Sequence, residues 1–394
     1  MFSTMLPAAL LVFVATDDPV DGKLSSRIRT QRHSDRNVHP IRVSGTQHCH
    51  RIFAATFGFS TISENGQQLL AGDFAVHYSD RRGRGSAAVY FEADPVSPQG
   101  KTVFQRRPCG SGDDLFVCNM WIFSTGIYTA RHTVVTQQDV TIEKSGGDLD
   151  SLHVVLVADL HLGYSIGNDH MKQMVEKINA LDPDVVLVAG DIFDNEFEAI
   201  KDPDKVAKTL SGIKSKYGVY ATYGNHDIQE PILAGFTFGG KDEKKQSDPR
   251  MDAFMQKAGL TLLQEKGVWI DDSVYLYGRP DYERPGRGIT KRKTPKEITK
   301  NIDKSKPIIV LEHEPRQLQE LADAGVDAQL CGHTHDGQMF PGNLAINLLW
   351  ENAYGYKKKA GMHSIVTSGV GVFGPNMRVG TKSEIYDIHM TFRP

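Results

Sequence analysis

From about residue 150 the chain alternates short apolar runs with amphipathic stretches. Val154–Ala158, Val185–Ala189 and Ile308–Leu311 are runs rich in β-branched residues, and Ala328–Cys331 is a shorter apolar run broken only by Gln329. Such runs predict strands buried on both faces. Between them apolar positions return at helical spacing. Met171, Met174, Val175, Ile178 and Leu181 follow a cap expected at Asn168 or Asp169, and Val206, Leu210 and Ile213 follow Asp202-Pro203. Asp248-Pro249 opens a third helix, with Met251, Phe254 and Met255 inward and Gly259 as its stop. Thr294-Pro295-Lys296-Glu297 reads as a capping box with proline at the first helical position. Strands alternating with helices predict a layered α/β domain.

The first 120 residues show no such pattern. Basic residue usage also changes along the chain. Residues 1–150 carry 12 Arg and 3 Lys, and residues 151–394 carry 8 Arg and 22 Lys. We therefore expect a boundary near residue 125. Residues 1–125 form an unassigned N-terminal extension, either an anchor or a poorly ordered segment, and residues 126–394 form one domain. Met5–Ala15 is an apolar run of signal-peptide length without a preceding Lys or Arg. Leu115–Tyr128 is read as a membrane-segment stump or a buried strand or helix, and neither run reaches the roughly 20 residues of a span. The Arg81–Gly85 run and His48-Cys49-His50 are read as surface tracts.

Composition narrows the classes. The chain has 394 residues, a net charge of -3 and 40% hydrophobic residues, an ordinary globular mix without a global basic field for nucleic acid. Its four cysteines form no CxxC pair, which argues against a disulfide scaffold or a zinc ribbon.

The chemistry follows the strands. The apolar runs lead into Asp159-Leu160-His161, Gly190-Asp191-Ile192-Phe193-Asp194, Gly224-Asn225-His226-Asp227, Glu312-His313 and Gly332-His333-Thr334-His335. Ligands of α/β sheets bind at the carboxyl ends of strands. In extended chain, residues i and i+2 point the same way, so Asp159 with His161, and His333 with His335, are expected to grip an ion together. Asp159, His161, Asp191, Asn225, His313, His333 and His335 make a mixed nitrogen and oxygen set too large for one tetrahedral ion. They suit two divalent ions (Mn, Fe or Zn), with Asp191 as the bridge. Gly190, Gly224 and Gly332 are expected to permit sharp turns beside the ions.

In this order the motifs resemble the calcineurin-like metallophosphoesterase superfamily. The resemblance is closest to its bacterial-type branch of often membrane-associated phosphohydrolases, through Asp159–Gly163, Gly332–Gln338 and the tail Ser368–Pro375 with Arg378. It covers about residues 126–391. It implies a four-layer αββα sandwich with the metal site at the common edge of two sheets. It implies that Asp159, His161, Asp191 and His335 hold one metal, and that Asp191, Asn225, His313 and His333 hold the other. His226 would protonate the leaving group or stabilise phosphoryl oxygens, Asp227 would orient it, and a water acidified by the metals would attack phosphorus. Asp194 is expected to cap the next turn or to support a ligand. Two departures stand out. Asn195-Glu196 replaces the arginine that phosphoprotein phosphatases place after this motif, and Asp336 stands where glycine is usual.

The function expected is a dinuclear metal-dependent phosphoesterase acting on small or lipid-linked phosphate esters. A nuclease of the same superfamily and an inactive scaffold are the alternatives. Tyr354–Lys359 raises contact with a membrane surface or anionic head group, against a solvated loop. Arg279–Arg292 reads as a mobile loop at the cleft rim, and no nucleic-acid or protein partner is indicated.

Overall fold

A computed structural model describes residues 54–62, 68–80, 85–93, 112–230, 232–233, 236–237 and 247–393. The expectations on Met5–Ala15, His48-Cys49-His50 and the arginines of Arg81–Arg84 lie outside the described residues. In chain order, β1 (Ala54–Ile62), β2 (Gln68–Asp80) and β3 (Gly85–Ala93) form an antiparallel three-stranded sheet. Helix α1 (Gly112–Arg131) follows and runs straight across position 125 into β4 (Val134–Ile142). Next come β5 (Ser151–Val157), α2 (Asn168–Leu181), β6 (Val185–Ala189), α3 (Pro203–Leu210) and β7 (Val219–Thr222). After the small hairpin β8 (Ile232–Leu233) and β9 (Phe236–Thr237) stand α4 (Pro249–Lys257), β10 (Thr261–Leu262), β11 (Lys266–Ile270) and β12 (Val274–Gly278). The chain then forms α5 (Pro295–Thr299), β13 (Ile308–Leu311), α6 (Leu318–Ala324), β14 (Ala328–Cys331) and α7 (Gly342–Leu349). It ends in β15 (Gly355–Lys359), β16 (Met362–Val366) and β17 (Glu384–Phe392).

Two six-stranded sheets result, in the orders β10-β7-β6-β5-β17-β4 and β11-β12-β13-β14-β16-β15. The parallel strands β7-β6-β5 and β12-β13-β14-β16 carry the apolar sequences and are largely buried on both faces, while the two-residue edge strand β10 is not. Leu152, Val154, Leu156 and Leu187 of the first sheet pack in one cluster with Leu276, Ile309, Leu311, Leu330 and Ile365 of the second. On the outer face of the first sheet, Val155, Val157, Val186 and Val188 meet Met171, Met174 and Ile178 of α2, Val206 and Leu210 of α3, and Met251 and Phe254 of α4. Behind the second sheet, Tyr277, Ile308 and Val310 meet Ile298 of α5 with Leu318 and Leu321 of α6. The order is helices, sheet, sheet, helices: the α/β sandwich that the pattern implies.

Local rules place most helix starts. The Asp202 and Asp248 side chains accept the Lys205 and Arg250 amides, with proline at the first turn in both helices, and Thr294 and Glu297 close a capping box. The α2 start differs from expectation. Its N-cap is Gly167, and Asn168 instead accepts a bond from the Thr209 hydroxyl at 2.7 Å, tying α2 to α3. Leu115–Tyr128 also departs from the buried reading. It lies within α1, where Trp121 is 67% and Tyr128 62% exposed, while Gly126 packs under Met377 and Val379. Among the described residues no helix is long and apolar enough to cross a membrane.

A candidate metal centre at the sheet edge

The β5 and β6 ladder does not stop where the strands end. The Asp159 amide donates to the Gly190 carbonyl at 2.9 Å, His161 to Asp191 at 3.0 Å and Leu162 to Ile192 at 2.9 Å, so the first two motifs lie side by side. Asp159 (φ 54°), His161 (φ 46°) and Asp191 (φ 49°) are all left-handed. Strand alternation therefore does not bring Asp159 and His161 together, as expected from extended chain. Left-handed backbone at both residues does. His333 (φ 76°) and His335 (φ 51°) behave the same way, and His335 opens a short 3-10 turn. Backbone of this kind costs free energy and persists where surrounding structure enforces it.

Two groups of side chains converge. In one, Nε2 of His161 lies 3.0 Å from Nε2 of His335, which lies 3.4 Å from Oδ1 of Asp159. In the other, Nε2 of His313 lies 3.0 Å from Oδ2 of Asp191, 3.1 Å from Oδ1 of Asn225 and 3.1 Å from Nδ1 of His333. Oδ2 of Asp191 also faces Nε2 of His161 at 3.8 Å, so this one oxygen stands between the groups. Its Oδ1 accepts the His226 amide at 2.8 Å. A bridge would thus use a single oxygen.

The donor set fits metal ions. Ligand atoms about 2.0–2.2 Å from a common ion lie roughly 3–3.6 Å from one another, which is the spacing of these nitrogens and oxygens. At His313 the tautomer agrees with ligation through Nε2. Nδ1–H of His313 donates to the Ala189 carbonyl at 2.8 Å, leaving the Nε2 lone pair facing Asp191. Burial, with His313 beside one and His161 beside the other, holds His333 and His335 well below the usual imidazole pKa, hence neutral as ligands must be. Burial opposes a charge on His313 too, but the Asp191 carboxylate overrides it and drives that pKa well up. Burial lifts Asp159 to about 6. Buried carboxylates here call for cations, and protonated histidine supplies that charge when no metal is bound.

The glycines divide into two kinds. Gly190 needs a positive φ (79°), and a Cβ there would meet Nδ1 of His313 at 2.7 Å. Gly224 and Gly332 do not use glycine's conformational freedom. A Cβ on Gly224 would collide with Oδ1 of Asp191, and one on Gly332 with Oδ2 of Asp159. They are small for room, not for turning.

Three further side chains shape the site. Asp194 presents Oδ1 to Nδ1 of His161 at 3.4 Å and to Nδ1 of His226 at 3.5 Å. Burial resists its charge, but the two imidazoles hold its carboxyl far below the usual range. Asp227 was expected to orient His226, but its oxygens accept the Phe193 amide at 2.8 Å and the Gly224 amide at 2.6 Å. It ties two motif loops together, and burial lifts its pKa to about 7. Arg378 is buried, with Nη2 2.6 Å from the Gly371 carbonyl, 2.7 Å from that of Ser368 and 3.2 Å from Nδ1 of His335, so it fixes the tail against the ligand ring.

The Arg279–Arg292 loop also departs from its mobile reading at both ends. Arg279 and Arg292 are buried and both donate to Glu312 at 2.9 Å. In between, Arg284 donates to the Asn225 carbonyl at 3.1 Å and Arg287 to that of Asp227 at 3.0 Å, so the loop clamps the third motif. Lys357 and Lys359 lie on β15 and pair with Glu351, which takes two of the charges proposed for a head group.

Residues 152–337 match the family model of the calcineurin-like phosphoesterases. The chain carries a calcineurin-like phosphoesterase domain. A Helicobacter pylori metallophosphoesterase is 31% identical to the chain over 59% of its length and 58% of the relative's. A Danio rerio transmembrane protein with a metallophosphoesterase domain is 27% identical over 66% of the chain and 58% of the relative. The UDP-2,3-diacylglucosamine pyrophosphatase LpxG of Chlamydia trachomatis is 22% identical over 52% of the chain and 70% of the relative. The chain thus spans less than two thirds of the first two of these relatives. The matched residues 152–337 contain all seven candidate metal ligands and His226, while Gln338, Arg378 and the Ser368–Pro375 tail lie beyond them.

Proposed function

We propose that this chain is a dinuclear metal-dependent phosphoester hydrolase acting on small or lipid-linked phosphate esters. The carrying observation is the position of Asp191 Oδ2 between two histidine-containing groups, 3.0 Å from His313 and 3.8 Å from His161. Asp159, His161, Asp191 and His335 would hold one divalent ion, and Asp191, Asn225, His313 and His333 the other. When bound, two such ions supply a Lewis-acid clamp on phosphoryl oxygens and acidify water. The chain's own residues do the rest. His226 is 18% exposed at the side chain, with Nδ1 toward Asp194. That contact orients the ring and leaves Nε2 to deliver a proton to the leaving oxygen. The Arg284 and Arg287 clamp holds Asn225 and His226 in place.

The lipid-linked arm has its own support. Helix α7 follows directly on the His335 turn and exposes Leu344, Leu348 and Leu349, with Phe340 beside them. The LpxG relative is named for a diacylated sugar nucleotide. Hydrolysis of a chromogenic bis-phosphodiester by chelator-stripped chain, with Mn, Fe or Zn restored singly, tests the assignment. Metal-restored turnover is expected, and no turnover with any metal or phosphoester would overturn it.

A further inference from the structure

A second histidine and carboxylate cluster lies far from the Asp191 centre. His153 on β5 stands directly opposite His389 on β17 in the antiparallel register, and Asp387 shares the face of His389. Nε2 of His153 lies 2.5 Å from Oδ1 of Asp387, and Nε2 of His389 lies 3.5 Å from the same oxygen. The two rings stack with centroids 4.4 Å apart and planes 18° apart. Gln137 of β4 donates Nε2–H to Oδ2 of Asp387 at 3.2 Å, so Oδ1 is the oxygen turned to the histidines. Six residues of extended chain separate His153 from Asp159, which puts the cluster about 20 Å from the first centre.

We propose that His153, Asp387 and His389 form an additional divalent-metal site that fastens the C-terminal strand β17 to β5. The 2.5 Å contact of His153 with Asp387 is a direct hydrogen bond, closer than two ligands of one ion stand, so a bound divalent cation would replace it and, with the rings turned out of their stack, take one lone pair from each ring together with the carboxylate. Nitrogen and carboxylate donors of this kind suit zinc, nickel or copper. The side chains of His153 and His389 are 20% and 48% exposed, so water can reach the remaining coordination positions, while Asp387 is 3% exposed and rigidly held. Asp139 stands opposite His389 on β4, one strand spacing of about 4.8 Å away, and offers a further carboxylate. The clamp would join residues 234 positions apart in sequence, which is where a cross-link restricts the unfolded chain most.

The test uses the full chain, stripped with chelator and titrated with zinc alone. Bound zinc is counted by mass spectrometry in wild type, His389→Gln and Asp191→Asn, and Tm is followed with and without zinc. His389 is exposed, so its loss leaves the fold intact and phosphoester turnover unchanged within twofold. The expected result is one zinc fewer per chain in His389→Gln than in wild type, with a smaller zinc-induced rise in Tm. Asp191→Asn must keep the zinc that His389→Gln loses, which separates this site from the phosphoesterase centre. His153→Gln repeats the measurement from the other strand. Equal zinc counts and equal zinc-induced Tm shifts in wild type and His389→Gln would overturn the site, whatever the occupancy at Asp191.

Discussion

Oδ1 of Asp194 faces Nδ1 of His226 at 3.5 Å, in the place that sequence adjacency assigns to Asp227. The same oxygen faces Nδ1 of His161 at 3.4 Å, so one carboxylate supports both a candidate ligand and the candidate acid. Groups that support ligands in this way typically cost 10–100-fold when removed. We expect Asp194→Asn to lower kcat/KM by about that factor with little change in Tm. Asp227→Asn should do the opposite. Its new amide would point an N–H at the Phe193 or Gly224 amide, and a buried donor left unsatisfied costs about 1–3 kcal/mol. Denaturant melts and steady-state kinetics on both variants decide between these roles. Equal kinetic losses without a stability difference would return Asp227 to the catalytic group.

Asp191→Asn tests the bridge. A neutral amide cannot balance two cations, and its nitrogen would turn a donor toward His161, His313 or the His226 amide. We expect bound metal to fall and turnover to drop by at least about 10²-fold. A variant that keeps two metals and full turnover would sink the two-ion reading.

Much of this was legible in the sequence, for identifiable reasons. β6, β13 and β14 match the predicted apolar runs because parallel strands buried on both faces admit little else. The caps at Asp202, Asp248 and Thr294 were legible because capping is local chemistry. β17 was not predicted, although it pairs with both β4 and β5. Its outer face carries Asp387 and His389, so it lacks a continuous apolar run. For Asp194 the sequence leaves two roles open, a turn cap or support of a ligand, since only the fold decides which carboxylate turns toward a histidine. The left-handed backbone at Asp159 and His161 was also hidden, because both residue types occur widely in strands and turns alike.

Gly190 offers a stability test. Alanine there would hold a positive φ and bring its Cβ to 2.7 Å from Nδ1 of His313 and 2.8 Å from the Gly224 amide. The left-handed penalty alone is about 1–2 kcal/mol, and the contacts add to it. Gly190→Ala should lose at least about 2 kcal/mol in denaturant melts. A loss under half of that would mean the turn relaxes freely.

The α2 residue His170 gives a pH dependence away from the metal ligands. Its Nε2 lies 3.1 Å from the Val370 carbonyl, and burial, aided by the charge of Arg131 and Arg378, lowers its pKa. The ring is then neutral and donates to that carbonyl. As pH falls below the unfolded value of about 6.5, the unfolded chain takes up the proton first. The contribution to stability is therefore complete above that pH and erodes below it. In His170→Gln the amide can donate without titrating. The wild-type minus variant difference in unfolding free energy should fall as pH drops from 7 toward 5, and a flat difference would refute the assignment.

His226 bears on the chemistry itself. The expansion of charge on the leaving oxygen during P–O cleavage is relieved by a proton, and a positioned acid contributes about 10²–10⁴-fold. His226 is held at both ends: its amide donates to Asp191 at 2.8 Å and its Nδ1 faces Asp194. We expect His226→Asn to keep its metals and to lose rate by that order on esters with high-pKa leaving groups. Nitrophenol-type esters, whose leaving groups need no proton, should lose much less. Metal analysis and the leaving-group series belong on one preparation, because each outcome assigns a different role. A lost metal makes His226 a ligand, in keeping with its T-shaped contact at 5.0 Å with the His161 ring. Equal losses across all leaving groups make it a stabiliser of the phosphoryl oxygens. An unchanged series shows the ring to be structural, and the proton must then come from solvent at the mouth of the site.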